Sequence, residues 1–252
     1  IYNRALSQAE ITKLYNLGAT SKINTTIKAP TASSAGGPTL ATGLVGHWTF
    51  DGADMISNVA DISGQGNNGA LSGQTSTTTS IGVIGQALEF DGVDDYVGIV
   101  TADLGVIKST LNWTTGFWFK TTNTGTGTHM QNPAFSQGDG ASQHIMLGVD
   151  TGNLMFNYYS GGNFDITGSA VSDGAWHHGV FVGLSDGTVS LYLDGVLDTS
   201  GSYTHTVTNT GTRIGDNYQG SYTNFTGLID DVRIYNRALT ADEVKKLYNL
   251  GK

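Results

Sequence analysis

Residues 1–18, IYNRALSQAEITKLYNLG, return at residues 234–251 as IYNRALTADEVKKLYNLG, with thirteen of the eighteen positions identical. A compact domain rarely carries its own ending at its own beginning, so the chain reads as part of a tandem array. Residues 1–18 are then expected to be the tail of a preceding repeat (a strand end plus a helix). Residues 19–42, rich in Pro, Ser, Thr and Gly, read as a linker holding Pro30 and Pro38. Residues 43–252 form the next complete domain. An array biases function toward reach, display and adhesion before any chemistry is considered.

The repeated tail has a strand-then-helix pattern. In Leu228–Tyr235, Val232 and Ile234 alternate with Asp231, Arg233 and Tyr235, a period of two. Asp230, Val232 and Ile234 thereby fall on one expected sheet face. Thr240 with Glu243, and Ser7 with Glu10, have the spacing of a capping box, in which each residue's side chain bonds the other's backbone N–H. Leu239, Val244, Leu247 and Tyr248 follow as an apolar stripe at helical spacing. Gly251 and Gly18 stand where a C′ glycine ends a helix. The short helix is expected on the outside or edge of a sheet.

Ahead of that tail, strand signals dominate: near 44–50, 86–90, 95–100, 112–121, 143–150, 153–159, 175–183, 188–194, 210–215 and 226–235. Asp194-Gly195 and Thr151-Gly152 supply tight hairpin turns. Trp113, Phe117, Trp118 and Phe119 crowd one strand with enough bulk for both faces of a sheet. With 36 Gly, 3 Pro and only 13% charged residues, the composition suits many short strands. The expected fold is all-β: a two-sheet antiparallel β-sandwich of jelly-roll type with a short C-terminal helix. Residues 58–80, poor in large apolar side chains, are expected to wrap the surface.

Charge narrows the partners. The net charge is −9, and no Lys/Arg stripe exists to meet phosphates, which argues against nucleic acid. No apolar run reaches the ~18 residues of a membrane span. Cysteine is absent, so the fold needs no disulfides. Eighteen of the 21 acidic residues are Asp, a residue that favours loops and ligates hard cations.

Several segments together resemble the laminin-G-like members of the concanavalin A-like lectin/glucanase superfamily, in particular bacterial laminin-G-like tandem repeats. These are Gly43–Gly52 (GLVGHWTFDG), Asp61–Gly69 (DISGQGNNG), Gly85–Val97 (GQALEFDGVDDYV), Trp176-His177-His178 before Leu191–Gly195 (LYLDG), and Gly227–Leu239 (GLIDDVRIYNRAL). The resemblance implies the concanavalin A-like jelly roll. It also implies a calcium ion where the end of the opening strand meets the closing strand. The candidate ligands are Asp51, the Gly52 carbonyl, Asp230, and Asn67 or Asn68 from the loop that begins at Asp61. An Asp on an apolar face needs a partner, and a cation is one. The alternative is that Asp51 starts a turn, Asn67-Asn68-Gly69 is turn chemistry, and Asp230 holds a neighbouring amide.

For a ligand, exposed aromatics on a concave sheet face would stack on sugar rings. Tyr158 and Tyr159, with Phe164 in NYYSGGNFD, together with Trp118 and Tyr192, are candidates. Tyr218 and Tyr222 in DNYQGSYTNFTG form a second group. Core packing is the competing explanation for each. Asp91, Asp94 and Asp95 read as an acidic hairpin tip with solvated carboxylates. His177 and His178 are strand neighbours facing opposite sides and cannot chelate one metal together; one is expected over the core edge and the other in solvent.

Catalysis is not expected. The complete domain holds only Glu89 and Glu243, and Glu243 is a cap, whereas retaining glycosidases on such sandwiches place two carboxylates together. The sequence therefore points to a non-catalytic extracellular module of a large surface protein, for adhesion or carbohydrate recognition, with structural calcium. Its expected partners are a glycan or other cell-surface ligand and neighbouring repeats. The alternative is a purely structural subunit of a surface fibre or filament, and a glycosidase is the remote third.

Overall fold

The computed structural model describes residues 39–252 apart from 56–57, 74–78, 100–103, 105–106, 109, 126–129, 139–142, 205–210 and 218–223. The repeat tail at 1–18, most of the linker, and Tyr218 and Tyr222 lie outside these residues. The strands are β1 (Leu44–Trp48), β2 (Gly69–Ser72), β3 (Thr79–Ile81), β4 (Gln86–Asp91), β5 (Tyr96–Ile99), β6 (Trp113–Lys120), β7 (Asn132–Gly138), β8 (His144–Asp150), β9 (Asn153–Tyr159) and β10 (Asn163–Ala170). They continue with β11 (Trp176–Gly183), β12 (Thr188–Leu193), β13 (Val196–Ser202), β14 (Gly211–Ile214) and β15 (Thr226–Tyr235), and the helix α1 (Ala241–Leu250) closes the chain.

Two antiparallel sheets form the sandwich. One runs β13-β12-β11-β6-β15-β4-β3, with β1 also paired to β15; the other runs β10-β9-β8-β7-β14-β5-β2. The closing strand β15 is long enough to serve three neighbours. Its first half pairs with β4, its second half with β1, and its opposite edge with β6. The repeated tail motif begins with the last two residues of this strand, Ile234 and Tyr235. Alternate residues of β6 divide between the two faces. Trp113, Phe117 and Phe119 enter the main core, and Trp118 points outward.

The hairpin turns follow their expected chemistry. Asp194 and Gly195 have φ of 51° and 80°, and Thr151 and Gly152 have 49° and 81°, the mirror-image turns that match strand twist. Other expectations need correction. Five strands carry no clear alternation in sequence: β2, which lies within residues 58–80, β3, which starts there, and β7, β10 and β13. Strand β10 is an edge with mostly exposed side chains, so little burial constrains its sequence. Asp91 to Asp95 is not a hairpin tip but a crossing between sheets, since β4 and β5 belong to different ones. Asp95 is buried there and accepts the Asp91 N–H at 3.0 Å.

Helix α1 begins as expected. Thr240 accepts the Glu243 N–H, and Glu243 accepts the Thr240 N–H, a complete capping box. Its end differs. Gly251 has φ −100°, outside the left-handed region. Glycine is required by contact, because a Cβ would sit 2.5 Å from Val83 and 2.6 Å from the Trp118 ring. Val244 and Leu247 pack with Leu239 against Val180, Val182 and Tyr235 on the outer face of the eight-stranded sheet.

Candidate functional site

Around the turn from Gly82 to Gln86, two acidic side chains meet one loop. Asp230 Oδ2 accepts the N–H groups of Val83 and Ile84 at 2.8 and 2.9 Å. Asp51 Oδ1 accepts the Gln86 N–H at 2.8 Å, and the Gln86 side chain in turn accepts the Gly52 N–H at 2.6 Å. Asp230 is fully buried, and its second oxygen, Oδ1, has no hydrogen-bond partner. Burial pushes its carboxyl up to about 7 against the two backbone bonds that favour the charged form.

The route by which Asp230 reaches this turn differs from the alternating pattern. A bulge between Asp230 and Arg233 inserts a residue, and Asp231 takes a φ of 48°. Ile229, Val232 and Ile234 therefore enter the main core, while Asp230 stands across from Trp118. Asp230 and Val232 do not share a face. The extra residue, Asp231, is buried in an ionic cluster. His47 Nε2 lies 2.6 Å from Asp231 Oδ1, and the Arg233 guanidinium donates to both Asp231 oxygens at 3.0 Å. Burial works against its charge, yet the His47 bond and Arg233 hold the Asp231 carboxyl below the usual carboxylate range.

Asn67 and Asn68 are engaged elsewhere. Asn67 donates its side-chain N–H to the Val45 carbonyl at 2.6 Å, and its own carbonyl accepts the Trp48 indole N–H at 3.0 Å. Asn68 Oδ1 accepts the Asp61 N–H at 2.9 Å. Asp61 itself accepts N–H bonds from His47, Ser63 and Asn67, each at 2.9 Å. These bonds pin the 61–68 loop along β1. Of the five residues named for a metal, Asp51, Gly52 and Asp230 gather at the 82–86 turn, and the two asparagines belong to a separate loop.

The aromatic candidates are dispersed. Trp118 is buried beneath α1, stacked on Tyr248 with ring centroids 5.5 Å apart and 4.9 Å from the His178 ring. Tyr192 packs against the neighbouring apolar cluster in which Val244 and Leu247 of the helix meet Val180 and Val182. These two were expected on a concave ligand face; the terminal helix covers that side instead. Neither histidine behaves as expected. His178 is fully buried, and burial pushes its imidazole down to about 4. His177 sits between Asp194 and Asp173 at 3.0 and 3.2 Å. Tyr159 lies on the outer face of the seven-stranded sheet, stacked on His144 at 5.1 Å.

Tyr158 is different. It lies on the inner side of β9, its ring 5.7 Å from that of Tyr203, and both are buried in the main core. Directly opposite it on β10 stands Phe164, which is 41% exposed. Between the β9–β10 turn and residues 202–204 these side chains open into a cavity of about 330 Å³. Ser160, Gly161, Gly162, Asn163, Ser202 and Thr204 stand around its rim, and among the described residues no charged side chain lines it. Strands β10 and β13, the edges of the two sheets, are tied farther along their length. The Ser169 N–H and hydroxyl both donate to Asp198, at 2.7 and 2.6 Å. Tyr203, Ser202 and Thr204 carry no motif of their own in sequence. The fold alone brings them to Tyr158, from a segment more than forty residues downstream.

Among the described residues, one group of three carboxylates has oxygens within 4.8 Å of one another, Asp91, Asp94 and Asp95. The two glutamates of the domain stand apart. Glu89 is exposed on β4 and accepts the Ser80 hydroxyl. Glu243 is held by the Arg237 guanidinium at 2.7 and 2.9 Å, which draws its carboxyl down to about 2.

Comparisons with known proteins agree with this architecture. Domain 4 of AbnA, a GH43 extracellular arabinanase from Geobacillus stearothermophilus solved with arabinotriose, superposes with a TM-score of 0.66 at 25% identity, covering 81% of this chain and 98% of that one. The binding domain of Paraclostridial Mosquitocidal Protein 1 superposes with a TM-score of 0.67 at 17% identity, covering 84% of this chain and 53% of that one. Adhesion G-protein coupled receptor V1 of Danio rerio is 34% identical over 88 residues, which are 33% of this chain and 1% of the receptor. A laminin-G-like family model matches residues 91–245, more than half of the sequence. The chain belongs to the concanavalin A-like lectin/glucanases superfamily.

Proposed function

We propose that this domain is a non-catalytic carbohydrate-recognition module of a larger extracellular surface protein. The cavity at the β9–β10 end carries the reading: it joins buried tyrosines, an exposed phenylalanine and hydroxyl-bearing rim residues, with no charge among the described residues that line it. Sugars present apolar C–H faces beside hydroxyls, and such a surface suits both. AbnA domain 4, solved with arabinotriose and matched over nearly its whole length, supports the same reading. The adhesion receptor and the toxin binding domain support a binding role over a catalytic one. The separation of Glu89 from Glu243, and the engagement of Glu243 with Arg237, gives no glutamate pair for general acid and nucleophile. A glycan array and isothermal titration with neutral oligosaccharides test the proposal. Binding to at least one glycan class is expected, and a flat array across all classes would count against it.

Calcium belongs to the same proposal. Asp51 and Asp230, with the Gly52 carbonyl, would hold the ion against the 82–86 turn. The unpartnered Asp230 Oδ1 supports this placement, because a buried carboxylate oxygen without a donor calls for a positive partner. A bound cation would supply that charge and fasten the turn to β15. With free calcium a hundredfold above its Kd, unfolding would require about 2.7 kcal/mol more. Calorimetric unfolding with and without EDTA should show the shift, and identical midpoints would remove the ion from the account.

The repeat supports tandem display. In the described copy five of the identical tail residues have structural work: Tyr235 is buried, Leu247 and Tyr248 pack from α1 onto the sheet, and Arg237 pairs with Glu243. Arg237 also donates to the Thr42 and Thr39 carbonyls at 2.7 and 3.1 Å, holding the segment that enters β1. Residues 1–18 repeat each of these positions as Tyr2, Arg4, Glu10, Leu14 and Tyr15. We infer that they are the tail of a preceding copy.

A further inference from the structure

Within the carbohydrate reading, on which this inference rests, the cavity's chemistry selects a narrower ligand class. Size comes first. At about 330 Å³ the cavity is at the small end of ligand sites, which run from ~300 to ~1,000 Å³. That space holds one or two sugar rings rather than the run of rings that an open cleft holds. Its floor, Tyr158 and Tyr203, is buried to 1% and 2% exposure, so the cavity ends there and does not pass through the sandwich. A ligand enters end-on.

Charge comes second. Among the described residues lining the cavity there is no Lys, Arg, His, Asp or Glu. A sialic or uronic acid would lose water around its carboxylate and gain no counter-charge. The chain's net charge of −9 adds a long-range repulsion against anionic glycans.

Shape comes third. Phe164 stands at the mouth, directly across from Tyr158, with its ring still partly open to solvent. Opposite it, ideal Cβ atoms placed on Gly161 and Gly162 would meet nothing within 4 Å. The main chain of the turn is therefore open to a ligand, and Ser202 and Thr204 bring hydroxyls to the other rim.

We propose that this cavity is a subsite for the end of a neutral oligosaccharide. Phe164 stacks on the terminal ring, and the rim hydroxyls and the Gly161-Gly162 main chain address its hydroxyl groups. The test is isothermal titration of the domain with arabinotriose, with neutral oligosaccharides of three to six rings, and with uronic-acid oligosaccharides. Three proteins are compared: wild type, Phe164→Ala and Gly162→Phe. Gly162 does not have positive φ, so the second variant fills the mouth without backbone strain. Thermal unfolding of all three checks that the variants are folded.

Wild type is expected to bind neutral oligosaccharides with an affinity per chain that stays constant from three rings to six. Both folded variants should bind at least tenfold more weakly. Undiminished binding in both variants would place the sugar elsewhere and overturn the inference while leaving carbohydrate recognition intact. Preference for uronic acids, or affinity that climbs with chain length, would overturn it in the same way. Failure of wild type to bind any sugar, on the titration and on the array, would remove the carbohydrate reading and this inference with it.

Discussion

The outer sheet face under helix α1 and the β9–β10 end of the sandwich use aromatic residues in opposite ways. Under helix α1, Trp118, His178 and Tyr248 form a closed stack with ring centroids 4.9 to 6.3 Å apart. At the β9–β10 turn, Tyr158 and Tyr203 lie at a comparable 5.7 Å, but the aromatic above them, Phe164, remains open to solvent. The first cluster has a helix as its lid, fixed by a capping box and the Arg237–Glu243 pair. The second has a glycine turn as its rim. Aromatic content alone therefore does not identify a binding surface. What matters is whether the chain itself supplies the cover.

The contrast orders the expected effects of mutation. Trp118→Ala removes a fully covered ring and should cost about 3–5 kcal/mol, read as a fall in the urea midpoint. If the helix side were the ligand face, the same change would alter sugar affinity in whatever fraction stayed folded, and no such change is expected. Thr240→Ala removes the helix cap and should cost about 1 kcal/mol by the same measurement. The Glu243 carboxyl, held by Arg237 at about 2, contributes stability that is present above its ordinary value of 4.5 and is lost as pH falls toward 2. Thr240→Ala should therefore matter less at acid pH than at neutral pH.

His177 gives a smaller effect with the opposite sign. Asp194 raises its imidazole above the ordinary 6.5, with partial burial working against this and Asp173 adding to it. A histidine raised on folding stabilises fully below pH 6.5, and the contribution fades as pH rises through the folded value. The pair is partly exposed, so the effect should stay below about 1 kcal/mol. Wild type should exceed His177→Gln in urea midpoint at acid pH, with the gap closing in alkali; a gap independent of pH would show that the ion pairs contribute nothing. Smallest of all in stability is Phe164→Ala, expected within about 0.5 kcal/mol of wild type because the ring is exposed. That variant should nonetheless lose sugar binding, the reverse of Trp118→Ala.

The same contrast explains what was legible in sequence. Helix α1, its cap and the end of the strand before it stand out because the apolar stripe and the capping box fall within the same eighteen repeated residues. Two-residue turns at Asp194-Gly195 and Thr151-Gly152 are equally plain, since left-handed backbone restricts residue choice. Strand β10 was not, because an edge strand with exposed side chains needs no alternation. The Asp230 face was misread because a bulge shifts the period by one, and nothing in Asp230-Asp231 announces it. In the cavity, Tyr158 and Phe164 could be found from NYYSGGNFD, whereas Tyr203 could not. Its partners lie on another sheet, and a tyrosine between serine and threonine has no distinguishing pattern.

The central claim is that ligand binds at the glycine-rimmed end and not beneath the helix or at the 82–86 turn. Amide chemical-shift mapping on the isotopically labelled chain during titration with arabinotriose tests it most directly. Shifts are predicted to gather in residues 158–164 and 202–204 and to leave 241–251 unmoved. Saturable shifts centred on α1 or on residues 82–86, with the cavity residues unchanged, would contradict it.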